Sequence, residues 1–389
     1  MAATDGKSFG SDNHAGMHPA VLAAIAEANA GDTAAYGEDD LSRAVHAKLC
    51  AAADAADAYF VFTGTAANIL GLSLMLRPFE AVICAETSHV NVDECGAAER
   101  LLGCKLLPVR TTDGKLTPDL VASRLTGLGD EHRAQPRVIQ IAQVTELGTC
   151  YSLAELSALR DFGRQHGLLV YLDGARIANA AAHLDCALAD IAAYADVLSF
   201  GGTKNGSLAV EAVLVMSEGL AGGAQYQRKQ LMQLASKMRF LAAQLDALLA
   251  QDLWLAMARH ANAMARRLAE ALGGVPGVRL AYQVQSNGVF TELNRDHAAR
   301  LRRDWNFEVW SESAGGRCVV RWMTAFDTSE ADVDALAGSI AAAALAHRRD
   351  SAESGVLGDT AVLTDTGGSD PGAVCAGNGR LSDQDGRHG

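Results

Sequence analysis

Lys204 stands in the run Ser199-Phe200-Gly201-Gly202-Thr203-Lys204-Asn205-Gly206, past an apolar stretch and among glycines. That setting is poor for packing and suited to covalent chemistry. A desolvated amine, or one beside another cation, has a lowered pKa and condenses with a carbonyl to form an imine. Taken alone, the residue reads equally as a surface lysine in a Gly-rich turn. Asp173 opens Asp173-Gly174-Ala175-Arg176 directly after five apolar residues, so it emerges at the C-terminal end of a strand. A carboxylate there can keep a pyridine nitrogen protonated and make the ring an electron sink, or it can cap the next helix. Arg176 can pair with a cofactor phosphate, with a ring oxygen, or with Asp173.

Lys204 follows Asp173 by 31 positions, about one helix and one strand, which places both on neighbouring loops of one sheet edge. In Thr63-Gly64-Thr65-Ala66-Ala67-Asn68, small residues join a strand to a helix. The free N–H groups of Gly64 and Thr65 at that helix start can seat a phosphate, although an ordinary capped turn has the same composition. His89, in Glu86-Thr87-Ser88-His89, can stack on an aromatic cofactor or move protons near neutral pH, or bond a backbone carbonyl. Arg321, in Val319-Val320-Arg321-Trp322, is a guanidinium among apolar neighbours on a strand. It can bind a carboxylate through two parallel hydrogen bonds or serve a buried salt bridge. Together these groups point to pyridoxal phosphate held by Lys204.

Short apolar runs at 59–62, 81–84, 104–109, 138–141, 168–172, 196–200 and 210–216 supply strands, and helical spacing lies between several of them. The alternation predicts an α/β fold with a mainly parallel sheet and helices on both faces. Ligands in such sheets bind beyond the strands' C-terminal ends, where the polar residues gather. Residues 1–34 read as an N-terminal arm and helix, and 35–272 as a large cofactor-binding domain. The latter ends in a long stretch of bridging helices from about 225 to 272. Strands near 278–281, 289–293, 307–310 and 318–322, with helices near 298 and over 331–347, make 273–349 a small α+β domain. Residues 350–389, rich in Gly, Ser, Thr and Asp, read as a disordered tail that buries too little surface to offset its ordering entropy.

The 389 residues suit one large or two ordinary domains, and a net charge of −13 argues against nucleic acid as a partner. The chain has no basic-then-apolar leader and no apolar run of bilayer-spanning length, which predicts a cytoplasmic protein with no membrane partner. Its eight cysteines have no metal-site spacing. Cys50, Cys84 and Cys318 sit in apolar stretches, where buried thiols are expected.

The order of these motifs resembles the low-specificity L-threonine aldolases, in the β-eliminating lyase group of fold-type-I pyridoxal phosphate enzymes. It comprises a strand then GTAAN, ETSHV, a strand then DGAR, a strand then FGGTKNG, and a VRW strand in a small C-terminal domain. Ser11-Asp12-Asn13, the run 35–39 and the run 233–240 are also similar to that family, and the resemblance spans about residues 8–348. It implies pyridoxal 5'-phosphate as cofactor and aldol cleavage of L-threonine, L-allo-threonine and related β-hydroxy-α-amino acids to glycine and an aldehyde. In that scheme Lys204 carries the cofactor, Asp173 partners the pyridine nitrogen, and Arg176 faces the ring oxygen and the lysine. Gly64 and Thr65 hold the phosphate, and His89 stacks on the ring. Ser11 and Arg321 hold the substrate carboxylate, and Tyr36 is a further substrate-binding residue. Tyr36, Lys237 and Arg239 resemble parts supplied by a neighbouring subunit, which implies a homo-oligomer, a dimer of dimers, with shared active sites. The chain departs from many relatives at Thr145-Glu146-Leu147-Gly148, where they carry a second histidine. The general base therefore lies between His89, Glu146 and a water. A lyase or aminotransferase of the same fold acting on another small amino acid shares Lys204 and Asp173 and is the rival reading.

Overall fold

The computed structural model describes residues 7–353. Eleven strands form two sheets among these residues. The larger contains β1 (Asp57–Val61), β2 (Glu80–Ala85), β3 (Lys105–Val109), β4 (Gln135–Ala142), β5 (Leu169–Asp173), β6 (Val197–Gly201) and β7 (Glu211–Val215). Their order is β1-β7-β6-β5-β4-β2-β3. The run from β6 to β3 is parallel, and β7 pairs antiparallel with both β6 and β1. The reversal has a plain cause. A parallel return needs a crossover of a dozen or more residues, and the lysine loop between Gly201 and Glu211 is too short for one. Glu211 therefore begins β7 directly opposite Gly201, which ends β6.

Side chains alternate across this sheet as the period of a strand requires. Val170, Leu172, Leu198, Ala212 and Leu214 join one apolar cluster, with Leu49, Leu156, Ile177 and Leu245 from helices on that side. Tyr171, Val197, Val213 and Val215 join a second cluster, with Ile69 and Leu70 from the helix Gly64–Ser73. Glu211 shares the face of Val213, so its carboxylate points toward that helix.

The smaller sheet is antiparallel, in the order β10-β11-β9-β8, from β8 (Arg279–Leu280), β9 (Gly288–Asn294), β10 (Glu308–Ser313) and β11 (Arg317–Met323). Trp322, Val320, Leu293 and Val289 pack there with Leu336 and with Phe9 of the N-terminal arm.

The helical stretch expected over 225–272 consists of the helices Ala224–Gln230, Arg239–Leu249 and Leu253–Leu272. Gln251 and Asp252 adopt left-handed φ values of 52° and 54°, an interruption that non-glycine residues do not signal in sequence. The span Arg239–Leu272 has the length and apolarity to cross a bilayer by composition, but its apolar residues Leu241, Leu245, Leu248, Ala258 and Ala265 are buried in protein. The last described helix runs Glu330–Glu353, past the boundary expected at 349. The remainder of the expected tail, 354–389, lies outside the described residues. Cys84 and Cys318 are buried as expected, while Cys50 is only half-buried.

Candidate active site

The parallel strands end at a cavity of about 380 Å³ whose walls include Lys204, Asp173, Arg176, Gly64, Thr65, His89 and Glu146. Seven of the residues singled out in sequence thus converge. Backbone contact sets how closely the lysine and aspartate strands approach. A Cβ on Gly174 would stand 2.0 Å from the Ser199 carbonyl oxygen, and one on Gly201 would stand 2.5 Å from that of Ala175. The glycines of DGAR and FGGTK are therefore required by a close approach of backbones.

Asp173 is buried and well supplied with donors. Its Oδ1 accepts the Ala175 N–H at 2.9 Å, and its Oδ2 accepts the Asn68 amide at 3.1 Å. Asn68 uses its whole amide: it also donates to Glu94 Oε1 at 2.6 Å and accepts the Tyr171 hydroxyl at 2.8 Å. Glu94 in turn meets His89 Nδ1 at 2.7 Å. That hydrogen bond raises the His89 pKa above its usual value, against the opposing effect of burial. One chain of contacts thus fixes both the His89 ring and the Asp173 carboxylate.

Arg176 does not pair with Asp173. Its Nε and Nη2 donate to the two carboxylate oxygens of buried Asp12 at 2.7 and 3.0 Å, and Asn287, just before β9, donates to Asp12 Oδ2 at 3.1 Å. Burial pushes Asp12 upward, but Arg176, with help from Lys204 and Asn287, outweighs it and holds the carboxyl at about 2. Ser11 does not line the cavity; its hydroxyl accepts the Asn13 N–H at 3.2 Å and caps the turn Asp12–His14, so that Asn13 faces the cavity instead.

Lys204 has a lowered pKa, first from burial and then from the nearby Arg176 charge. Glu146 accepts the His89 backbone N–H at 2.8 Å, yet burial pushes its carboxyl up to about 7. Glu146 and Arg176 also line a small recess with Arg321. Arg321 donates from Nη2 to the Gly10 carbonyl at 3.0 Å and lies 5.1 Å from the Trp310 ring centre. Its buried Nε has no hydrogen-bond partner among the described residues. An orphaned guanidinium N–H beside the cavity matches an incoming carboxylate.

At the cavity's other end, the helix Gly64–Ser73 begins with Thr63 accepting the Ala66 N–H at 3.1 Å, and a Cβ on Gly64 would meet nothing within 4 Å. Open backbone at a ten-residue helix start suits an anion. Tyr36, Lys237 and Arg239 do not line this cavity. Tyr36 is 51% exposed and lines a separate cleft, and Arg239 donates to the Gly31 carbonyl at 3.0 Å. Sequence reasoning passed over Asp12, Asn68, Glu94 and Glu211, all buried polar residues at or behind the cavity. Asn68 and Asp12 lay within quoted motifs without an assigned part.

A beta-eliminating lyase family model matches residues 8–295. The low specificity L-threonine aldolase of Pseudomonas aeruginosa is 43% identical over 329 residues, covering 82% of this chain and 93% of the relative. That of a Pseudomonas sp. is 42% identical over 342 residues, covering 86% and 97%. Among solved structures, a Leishmania major threonine aldolase superposes with a TM-score of 0.83 at 32% identity, covering 87% of this chain and 99% of that one. A Sphingomonas wittichii serine palmitoyltransferase, at 17% identity and a TM-score of 0.66, shares the fold. The chain therefore belongs to the beta-eliminating lyase family, among its low-specificity L-threonine aldolases, with the fold-type-I architecture.

Proposed function

We propose that the chain is a pyridoxal phosphate-dependent aldolase that cleaves L-threonine and related β-hydroxy-α-amino acids, reversibly, to glycine and an aldehyde. The observation that carries this reading is the convergence of Lys204, Asp173, the Gly64–Thr65 helix start and the Arg321 recess on one cavity, in a chain with close aldolase relatives. The residues fit the cofactor. Lys204 supplies a lysine amine of lowered pKa, Asp173 an anion for a ring nitrogen, Gly64 and Thr65 a phosphate seat, and His89 a ring to lie against it. When bound, pyridoxal phosphate supplies a carbonyl for amines and a ring that draws electrons from the substrate Cα–Cβ bond.

The protein's part is to hold, orient and move protons. Arg321, with its unused Nε–H, binds the substrate carboxylate and so fixes which Cα bond faces the ring. Arg176 is kept straight by Asp12 and keeps a positive charge beside Lys204. Glu146 sits between the cavity and the Arg321 recess. Its value of about 7 suits it to accept the substrate hydroxyl proton near neutral pH, while Glu94 holds the His89 ring. Tyr36, Lys237 and Arg239, away from this cavity, support a homo-oligomer in which they serve a neighbouring site; light scattering would return the monomer mass if that part is wrong.

Lys204→Ala is expected to lose the cofactor's covalent absorbance and the release of aldehyde from L-threonine. Retention of both would overturn the assignment. Release of a keto acid in place of glycine and aldehyde would favour the rival reaction.

A further inference from the structure

Glu211 is a buried carboxylate on the lysine's own hairpin that the scheme above leaves unused. It is 5% exposed at the first position of β7, between Val61 of β1 and Gly201 of β6. It lines the same cavity as Lys204 and Asp173. Its Oε2 accepts the Gly202 N–H at 3.0 Å, two residues before Lys204.

Three of the other carboxylates at or behind the cavity have charged or amide side-chain partners, whereas Glu146 accepts the His89 backbone N–H. Asp12 pairs with Arg176 and Asn287, Asp173 with Asn68, and Glu94 with Asn68 and His89. Glu211 has the Gly202 N–H, the Thr203 hydroxyl beside it, and the nearby charge of Lys204. Holding Gly202 requires only a neutral acceptor, and a glutamine would provide one. A buried carboxylate at the end of an apolar sheet carries a desolvation penalty that a mere loop clasp does not need.

We propose that Glu211 is a positioning residue that acts through Lys204: anchored to the lysine loop at Gly202, its carboxylate governs how readily the lysine amine gives up its charge before attacking a carbonyl. Burial disfavours charge on both groups, and each favours charge on the other. Asp173 opposes ionisation of Glu211 and favours charge on Lys204, and Asp12 acts on Lys204 from behind Arg176 in the same sense as Asp173. Arg176 opposes the lysine charge. Glu211 is the member of this set that travels with the lysine loop. Its removal should leave the free amine dominant at lower pH.

The inference rests on Lys204 being the reactive amine, and its test does not require aldolase activity. Purified protein, with and without pyridoxal phosphate, is treated with formaldehyde and cyanoborohydride across pH, and methylation of Lys204 is read by peptide mass spectrometry. In the cofactor-free form, Glu211→Gln should move the pH of half-maximal labelling down by about one to three units. A purely structural clasp predicts superimposable wild-type and Glu211→Gln curves, and that result would overturn the proposal. If the variant does not unfold cooperatively, the wild-type curve decides. Two coupled groups give a titration broader than one ionisation, and a single-ionisation curve refutes the coupling. Protection of Lys204 by pyridoxal phosphate reports on the cofactor assignment separately, so failure of one reading is distinguishable from failure of the other.

Discussion

On the Arg176 side of the cavity and on the β7 side, carboxylates are buried to a similar degree and treated in opposite ways. Asp12, 3% exposed, is held at about 2, whereas Glu211, 5% exposed, is pushed up to about 7. Burial acts in the same direction on both. The difference is that Asp12 receives two hydrogen bonds from a guanidinium, while Glu211 receives a backbone N–H and shares a cavity with an amine itself pushed toward neutrality. Partner geometry, and not depth, therefore decides which buried acid keeps its charge. One side of the cavity is electrostatically locked, and the other exchanges protons near neutral pH.

The comparison is broken most severely by Asp12→Ala, which leaves the Arg176 cation buried without its partner. Urea unfolding at neutral pH should show a loss of about 3–5 kcal/mol. Glu211→Gln should do the reverse in the cofactor-free protein, and only in part of the pH range. The folded state keeps a proton on Glu211 between the ordinary value of 4.5 and about 7, while the unfolded state has already lost it. Ionisable Glu211 thus costs stability increasingly through that window and fully above it. The glutamine variant should match the wild type below pH 4.5 and exceed it by about 3 kcal/mol above pH 7. Glu146→Gln should show the same sign.

Asp12 supplies the opposite sign in the wild type. Its folded value is depressed from 3.8 to about 2, so its contribution is complete above 3.8 and fades as pH falls toward 2. Urea midpoints followed over that acid range should reveal a loss of about 2 kcal/mol that Asp12→Ala no longer shows. The smallest effect should come from Ser152→Ala, far from these charges. Ser152 and Glu155 form a reciprocal cap on the helix Leu153–His166, and its removal should cost about 1 kcal/mol with little change between pH 6 and pH 8.

The strand-then-motif pattern made Lys204, Asp173, His89 and the helix start at Gly64 legible, because each follows an apolar run at the edge where ligands bind. Glu211 escaped the same rule because it begins its strand. The tight lysine hairpin reverses β7 and brings that strand's first residue to the edge where its neighbours end. Asp12 escaped because its partner lies 164 residues away, and no local spacing encodes such a pair. Arg176 was found by its position, but its partner required the folded chain. The break at Gln251 and Asp252 was hidden for a different reason: left-handed backbone at non-glycine residues leaves no compositional mark.

Gly174 and Gly201 press the lysine-bearing and aspartate-bearing strand ends together through main-chain atoms. The spacing of those two strand ends is consequently a property of the peptide skeleton and independent of any rotamer. Asn13, Leu208 and Ala209 line the same cavity with side chains, and exchanging them leaves that backbone spacing fixed. A single methyl group added at either glycine would shift both chemical groups at once, which makes these two positions the ones to leave untouched when the pocket is redesigned.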